Sequence, residues 1–592
     1  MNGRILREHA AAAELSRRRF VQGLAGGALM LSPLRALSAG AAPEGSVLTG
    51  PEFKLAIGEL PVNYTGRERT AIAVNGQVPG PLLRMHEGET VTIRVTNHLA
   101  VQSSIHWHGL IVPADMDGVP GLSFPGIEPG GTYVYRFKVN QSGTYWYHSH
   151  SRFQEQTGLY GPLIVDRAGD ERHPSDREHV VLLSDWTDID PERVYAILKR
   201  QSDYFNFGKR TVGDFFADVR HNGLESAVAD RSMWGQMRMD PTDLADVGGA
   251  AYTYLMNGVT PGGNWTGLFR RGERVRLRFI NGSSMSFFDV RIPGLQLTIV
   301  AADGQDIEPV TVDEFRIGTA EVFDTIVQPR EERPYTLFAA SMDRSGYARG
   351  TLAPRPGLSA EVPPLEPRTL LTMSDMGMAG AMRHEKSDTV GMPGMGSGSA
   401  GHIASTVPPG AHGTPRRFGP MVDSVAVSAS PRLDDPGPGL RTNGRRVLTY
   451  ADLRTLGGPI DQRDATREIE LHLTGHMARY VWSFNGEKFS EATPLRFAYG
   501  ERLRLVLIND SMMTHPIHLH GMWSEVEAQD GSFLVRKHTV NVQPAQRLSY
   551  LVTADALGRW AYHCHLLFHM EAGMFREVVV ARSGDPTAGH YP

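Results

Sequence analysis

Four His-x-His pairs stand out in the 592-residue sequence: His106-Trp107-His108, His148-Ser149-His150, His518-Leu519-His520 and His563-Cys564-His565. The chain has 23 histidines, and chance alone would supply such a pair about once. On a strand, residues two apart share a face, so each pair aims two imidazoles the same way. Eight converging imidazoles can hold several borderline metal ions. The fourth pair says more, because Cys564 lies between its histidines and therefore faces the other side of the strand. There it can join His515, His569 and Met574. One thiolate, two imidazoles and a weak thioether make a blue-copper electron-transfer site, a set that no common structural zinc site uses. An electron taken up at Cys564 then has one residue to cross to reach His563 or His565. Cys564 is the only cysteine, so the chain has no internal disulfide. A free thiol is often an inert core residue, and it is the surrounding histidines that mark this one for chemistry.

The elements that must position these residues repeat. Asn-Gly occurs at Asn75-Gly76, Asn257-Gly258 and Asn485-Gly486, each followed by a Gly-Glu turn and an alternating run. The runs carry Val91, Ile93 and Val95 to Asn97, then Val275, Leu277 and Phe279 to Asn281, then Leu503, Leu505 and Leu507 to Asn509. Period-two alternation marks a strand with one buried face, and three copies predict three related β domains. Short β-branched and aromatic runs broken by Gly, Pro and Asn make the whole chain read as all-β, sandwich or barrel. The expected boundaries are 47–166, 172–355 and 441–581, with a Met/Gly/Pro-rich linker or insertion at 365–440. The His-x-His pairs fall only in the first and last domains, so the middle one is expected to act as a spacer.

Composition sets the class. Hydrophobic residues at 41% and charged residues at 21% describe a folded, soluble chain. A net charge of -5 supplies no basic field for nucleic acid. Ser16-Arg17-Arg18-Arg19-Phe20, an apolar stretch from Val21 to Leu34 and small residues from Ala36 to Ala42 have the order of a twin-arginine signal peptide over 1–42. Export through that machinery implies a periplasmic protein. No other apolar run approaches membrane-spanning length, so no stable span is expected in the mature chain.

The runs His106-Trp107-His108-Gly109, His148-Ser149-His150, His515-Pro516-Ile517-His518-Leu519-His520-Gly521 and His563-Cys564-His565 through His569 and Met574 resemble the four copper motifs of the multicopper oxidases, intact and in family order. Within that family the chain looks most like the bacterial copper-resistance protein A group of periplasmic cuprous oxidases. The closer likeness rests on Met233-Trp234-Gly235 to Met239-Asp240-Pro241-Thr242, on Met512-Met513 and on Gly558-Arg559-Trp560-Ala561-Tyr562.

The resemblance implies three cupredoxin-like Greek-key domains and four copper ions. It assigns His515, Cys564, His569 and Met574 to a type 1 copper and His106 and His518 to a type 2 copper. A coupled type 3 pair takes His108, His148, His150, His520, His563 and His565. The implied reaction takes electrons singly from Cu(I) or another small reducing substrate and reduces dioxygen to water. A laccase-type phenol oxidase and a non-catalytic copper-sequestering protein are the alternatives. Asp117 falls where the family places an acidic residue near the cluster, to move protons or tune bound water; an Asp-Gly pair is equally a common turn. Some relatives carry a proton-relay carboxylate immediately after the distal type 1 histidine, where this chain has Met570 with Glu571 beyond it. Ser511 likewise stands where relatives with a substrate copper site often have an acid. Soft thioethers favour Cu(I). Met373, Met376, Met378, Met382, Met392 and Met395, with His384 and His402 nearby, are therefore candidates for gathering it, and Met513 for passing an electron inward; a low-complexity insertion with incidental methionines is the other reading.

Overall fold

The computed structural model describes residues 45–378 and 419–582. The signal-like segment 1–42, Met382, Met392, Met395, His384 and His402 lie outside them.

Each Asn-Gly pair forms the two central residues of a tight turn with both φ angles positive: 51° and 72° at Asn75-Gly76, 52° and 73° at Asn257-Gly258, 56° and 77° at Asn485-Gly486. That is the type I′ pattern, which asparagine and glycine adopt at least steric cost. The side chains repeat as well. The Oδ1 atoms of Asn75, Asn257 and Asn485 each accept a backbone N–H at 2.7 Å, from Ala56, Leu182 and His472. Strands Thr90–Asn97, Val275–Asn281 and Arg502–Asn509 follow, with Val91, Ile93, Val95, Val275, Leu277, Phe279, Leu503, Leu505 and Leu507 all buried. Each strand closes on a buried asparagine whose amide donates to two backbone carbonyls, as Asn509 does to Met513 and Val542.

The strands form six sheets that pair into three β sandwiches. In the first, Arg69–Val74, Glu52–Val62, Thr90–Asn97 and Thr132–Lys138 face a five-stranded sheet ending in Gly143–His148 and His106–His108. The second and third share one plan, a six-stranded sheet against a five-stranded one. In the third, the five-stranded sheet runs Leu495–Ala498, Phe575–Ala581, Gly558–Cys564, His515–Leu519, Thr539–Val542.

Two features depart from a plain row of sandwiches. The second carries helices Pro191–Leu198, Val212–Asn222 and Leu224–Met237. Thr211 and Asp214 form a capping box at the start of the second helix. The third helix buries only Ala227 and Trp234, so its apolar residues trace no single stripe for sequence periodicity to detect. The chain before the third sandwich also runs along the second, with Val447 bridging Glu314 and Thr455 bridging Ile307. The described ends of the 365–440 stretch pack down: Leu371, Met373 and Met376 are buried and Ser430 bridges Gln546. Among the described residues no helix is long and apolar enough to cross a membrane.

Candidate functional site

Strand register builds the first cluster. His106–His108 pairs antiparallel with Gly143–His148, setting His106 opposite His148. His515–Leu519 pairs with Gly558–Cys564, setting His518 opposite His563 and Ile517 opposite Cys564. Alternation then sends His518, His520, His563 and His565 to one face and Cys564 to the other, beside His515. The first and third sandwiches bring all eight paired imidazoles together. Ring centroids lie 4.0 Å apart for His108 and His518, 4.1 Å for His106 and His520, 4.9 Å for His148 and His565, and 5.0 Å for His150 and His563. Three trios have donor atoms within 4.8 Å of one another: His106, His108 and His518; His106, His150 and His520; His108, His148 and His565.

The inward-facing nitrogens identify what the cluster is for. The Nε2 atoms of His106, His148, His150 and His518, Nδ1 of His108, and both ring nitrogens of His565 are buried without a hydrogen-bond partner. His520 Nε2 and His563 Nε2 meet only each other, at 3.0 Å. Buried polar atoms left unsatisfied on this scale need a ligand. Burial, then like charge from neighbouring rings, holds His108, His150, His518 and His520 well below the usual histidine range. The same holds for His148 and His565, and burial brings His563 down to about 4. Neutral imidazoles keep the lone pairs that a borderline cation takes.

The outer nitrogens are braced, which fixes ring orientation and tautomer. His106 Nδ1 donates to the Asp117 carbonyl at 2.7 Å and His518 Nδ1 to the His538 carbonyl at 2.6 Å. His563 Nδ1 reaches the Cys564 carbonyl at 2.9 Å. His108 Nε2 lies 3.1 Å from both Thr539 Oγ1 and His538 Nδ1. Two braces are carboxylates: Asp117 Oδ2 accepts from His520 Nδ1 at 2.8 Å, and Glu155 Oε2 lies 2.6 Å from His148 Nδ1. Asp117 also ends the turn Ala114–Met116, so it lies in a turn and beside the cluster at once.

The second cluster faces the opposite side of the Cys564 strand. Cys564 Sγ is 3.5 Å from His515 Nδ1 and 3.8 Å from His569 Nδ1, and those nitrogens are 3.2 Å apart. That triangle suits one first-row cation at its centre. The turn Leu567–Glu571 brings His569 back, and the Cys564 N–H donates to the Met574 carbonyl at 3.1 Å. Cys564, His515, His569 and Met574 are fully buried. Burial pushes the Cys564 thiol far up, so it is a bound cation that makes it a thiolate. Ser511 Oγ contacts His515 Nε2 at 2.7 Å, and Asp246 Oδ2 accepts from His569 Nε2 at 2.8 Å and from the Tyr480 hydroxyl at 2.7 Å. Trp482 stacks on the His569 ring at 3.9 Å.

Met513 is buried behind Ser511, its N–H directed at Ser511 Oγ at 3.3 Å. Met373 and Met376 are buried, and Met378 packs against the same apolar core. Glu571 pairs with Arg152, and Met570 lies against the core. Sequence reasoning missed Asp246, Glu155, His538, Thr539 and Asp303; none carries a spacing signal. The middle sandwich, expected only to space the other two, supplies Asp246 to His569. It also supplies Asp303, whose Oδ2 accepts the His538 and Thr539 N–H groups at 3.1 Å.

Comparison with known proteins agrees with this geometry. Multicopper oxidase family models match residues 56–170, 177–355 and 462–584. The chain is 59% identical to a copper resistance protein A homolog of Pseudomonas syringae pv. tomato, over 95% of this chain and 99% of that one. It is 57% identical to copper resistance protein A of Escherichia coli, with the same coverage. Among solved structures, Fet3p, a multicopper oxidase that functions in iron import, aligns with TM-score 0.62 and 18% identity over 92% of this chain and 93% of its own. A laccase from Botrytis aclada aligns with TM-score 0.60 and 21% identity, over 91% and 89%. These likenesses give the sandwiches their cupredoxin-like character. Three matched domains and two full-length relatives, over a framework that converges eight imidazoles and one thiol, make this chain a member of the multicopper oxidases, a family of oxidoreductases.

Proposed function

We propose that this enzyme is a periplasmic cuprous oxidase of copper resistance, which oxidises Cu(I) one electron at a time and reduces dioxygen to water. In this reading His515, Cys564, His569 and Met574 hold the type 1 copper and His106 and His518 the type 2 copper. His108, His148, His150, His520, His563 and His565 hold the type 3 pair. The four coppers would supply one-electron storage, so that a four-electron acceptor can be served by one-electron donors. The three domains are taken as 47–166, 172–355 and 441–581, and export rests on the twin-arginine run at Arg17 and Arg18.

The chain's own residues do the rest. Cys564 links the two faces of one strand. Asp117 holds His520 and so fixes the cluster's geometry; we assign to it the handling of protons or bound water as well. Met513 and the methionines from Met373 to Met395 would offer soft sulfur to arriving Cu(I).

One observation favours Cu(I) over a bulky phenol. His515 and His569 are both fully buried, and their outer nitrogens are already taken by Ser511 and Asp246. Tyr480 and Trp482, themselves buried, cover the same edge. An aromatic ring finds no imidazole edge to lie against, whereas an ion needs only a carboxylate and thioethers nearby. The names of the 57–59% identical relatives point the same way. Oxygen uptake measured with Cu(I) and with a phenol, on the native chain and on a form lacking residues 379–418, tests this. Cu(I)-driven uptake that falls on deletion is expected. Dominant phenol turnover untouched by the deletion would make the enzyme laccase-like, and copper binding without uptake would make it a sequestering protein.

A further inference from the structure

Outer contacts brace six of the eight rings, and two carboxylates, Asp117 and Glu155, are among the partners. Asp117, from the first sandwich, holds His520 of the third. Glu155 Oε2 lies 2.6 Å from His148 Nδ1, within the first sandwich, closer than the Ser149 carbonyl that the same nitrogen meets at 3.2 Å. Glu155 is 3% exposed, its Oε1 has no partner, and among the described residues no lysine or arginine pairs with it. A buried carboxyl group is costly without a hydrogen-bond partner. The one ionisable side chain it touches is His148, whose opposite nitrogen, Nε2, is itself unpartnered and faces the cluster.

The surrounding chain keeps Glu155 in place. The segment after His150 folds back on itself through the Gly158 N–H to the Glu155 carbonyl at 3.1 Å and the Leu159 N–H to the Gln154 carbonyl at 3.0 Å. On one side Gln154 accepts from Ser103 at 2.7 Å and Ser149 at 2.9 Å. On the other, Gln156 donates to the Asp185 carbonyl at 3.1 Å and accepts from Tyr252 at 2.6 Å. A glutamate held between two anchored glutamines cannot swing away from His148.

We propose that Glu155 is a positioning residue of the copper cluster: it holds His148 in the orientation and tautomer that present Nε2 to metal. The inference rests on the multicopper reading above. Glu155 is the less visible counterpart of Asp117, and the two together brace one ligand from each ligand-bearing sandwich. Acting through His148, it touches neither donor nor oxygen.

The test uses the full-length, copper-loaded protein and two variants, with a third in reserve. Glu155→Ala removes both the accepting oxygen and the charge; Glu155→Gln keeps the oxygen. Copper retention against a chelator, spin resonance of the coupled pair, the blue thiolate absorption and thermal unfolding are all read. Glu155→Ala is expected to lose cluster copper at a chelator concentration roughly 10–100-fold lower than the native protein. It should also show a new spin-resonance signal from an uncoupled pair while the blue band stays unchanged. Glu155→Gln should restore the coupling and recover most of the retention, a rescue that mere space-filling does not predict. If Glu155→Ala fails to accumulate, Glu155→Leu, which fills the space without an acceptor, decides: lost coupling with weakened retention supports the proposal, and native retention with a silent coupled pair overturns it. A folded Glu155→Ala with native copper content and a silent coupled pair also overturns it. Should the native chain itself hold only the blue copper, the multicopper reading falls, and this one with it.

Discussion

The two candidate metal clusters share a strand but are built in opposite ways. The mononuclear one draws all its donors from residues 515–574, within a single sandwich, and its closest donor atoms lie 3.2–3.8 Å apart. The imidazole cluster takes four rings from each of two sandwiches, and its braces cross between them. Asp117 of the first holds His520 of the third, while Thr539 and His538 of the third hold His108 of the first. The middle sandwich steadies both, through Asp246 on one side and Asp303 on the other. A site within one sandwich inherits its geometry from local register. A site between two must have its halves tied together by contacts that sequence spacing does not set.

That contrast can be broken most decisively at Cys564, on the strand the clusters share. Cys564→Ser should abolish the blue absorption and drop turnover to background while chelator-resistant copper stays in the imidazole cluster. A surviving blue band would show that the absorption does not arise from a copper–thiolate bond, since the chain has no other cysteine.

The cross-sandwich bracing is probed next. Lys537 is fully buried, with Nζ 3.1 Å from Asp303 and 2.9 Å from Glu321. The neighbouring His538 and Thr539 N–H groups also point at Asp303. Asp303→Ala breaks one arm of this buried charge group and should cost about 3–5 kcal/mol of stability, read from denaturant unfolding. Cluster copper should be lost before blue copper. Equal loss from both would mean that the two sites do not differ in their dependence on the middle sandwich.

The smallest effect lies on the mononuclear side. Asp243 sits in the turn that leads to Asp246, and burial pushes its carboxyl up to about 7 from an ordinary 3.8. Between those values the folded chain holds a proton that the unfolded chain has released, so this group's stabilisation is full below about pH 4 and is lost as pH rises through 7. The whole shift corresponds to at most about 4 kcal/mol. Asp243→Asn should remove part of the fall in melting temperature between pH 5 and pH 8. An unchanged difference between the two pH values would place the proton elsewhere.

Much of this molecule was legible because its signals are local. Asn75-Gly76, Asn257-Gly258 and Asn485-Gly486 announce their turns, since few residue pairs accept two positive φ angles in succession. His563-Cys564-His565 announces two faces because strand alternation admits no other arrangement. The braces are silent for the opposite reason. Asp246 and His569 are 323 positions apart, and a carboxylate that meets an imidazole only after three sandwiches assemble leaves no periodic trace. Glu155 lies seven residues from His148, yet the intervening segment follows neither a helical nor a strand period, so nothing in its spacing links the two. Helix Leu224–Met237 was hidden because its apolar residues do not line one face.

The complete burial of Cys564 bears on the life of the protein before it receives metal. A single accessible thiol invites cross-linking between molecules and stepwise oxidation to acids that cannot be reversed. Fully buried beside His515 and His569, this sulfur is a poor target for peroxide or for another chain's thiol. The same enclosure leaves a soft cation as the partner best able to draw the sulfur into reaction.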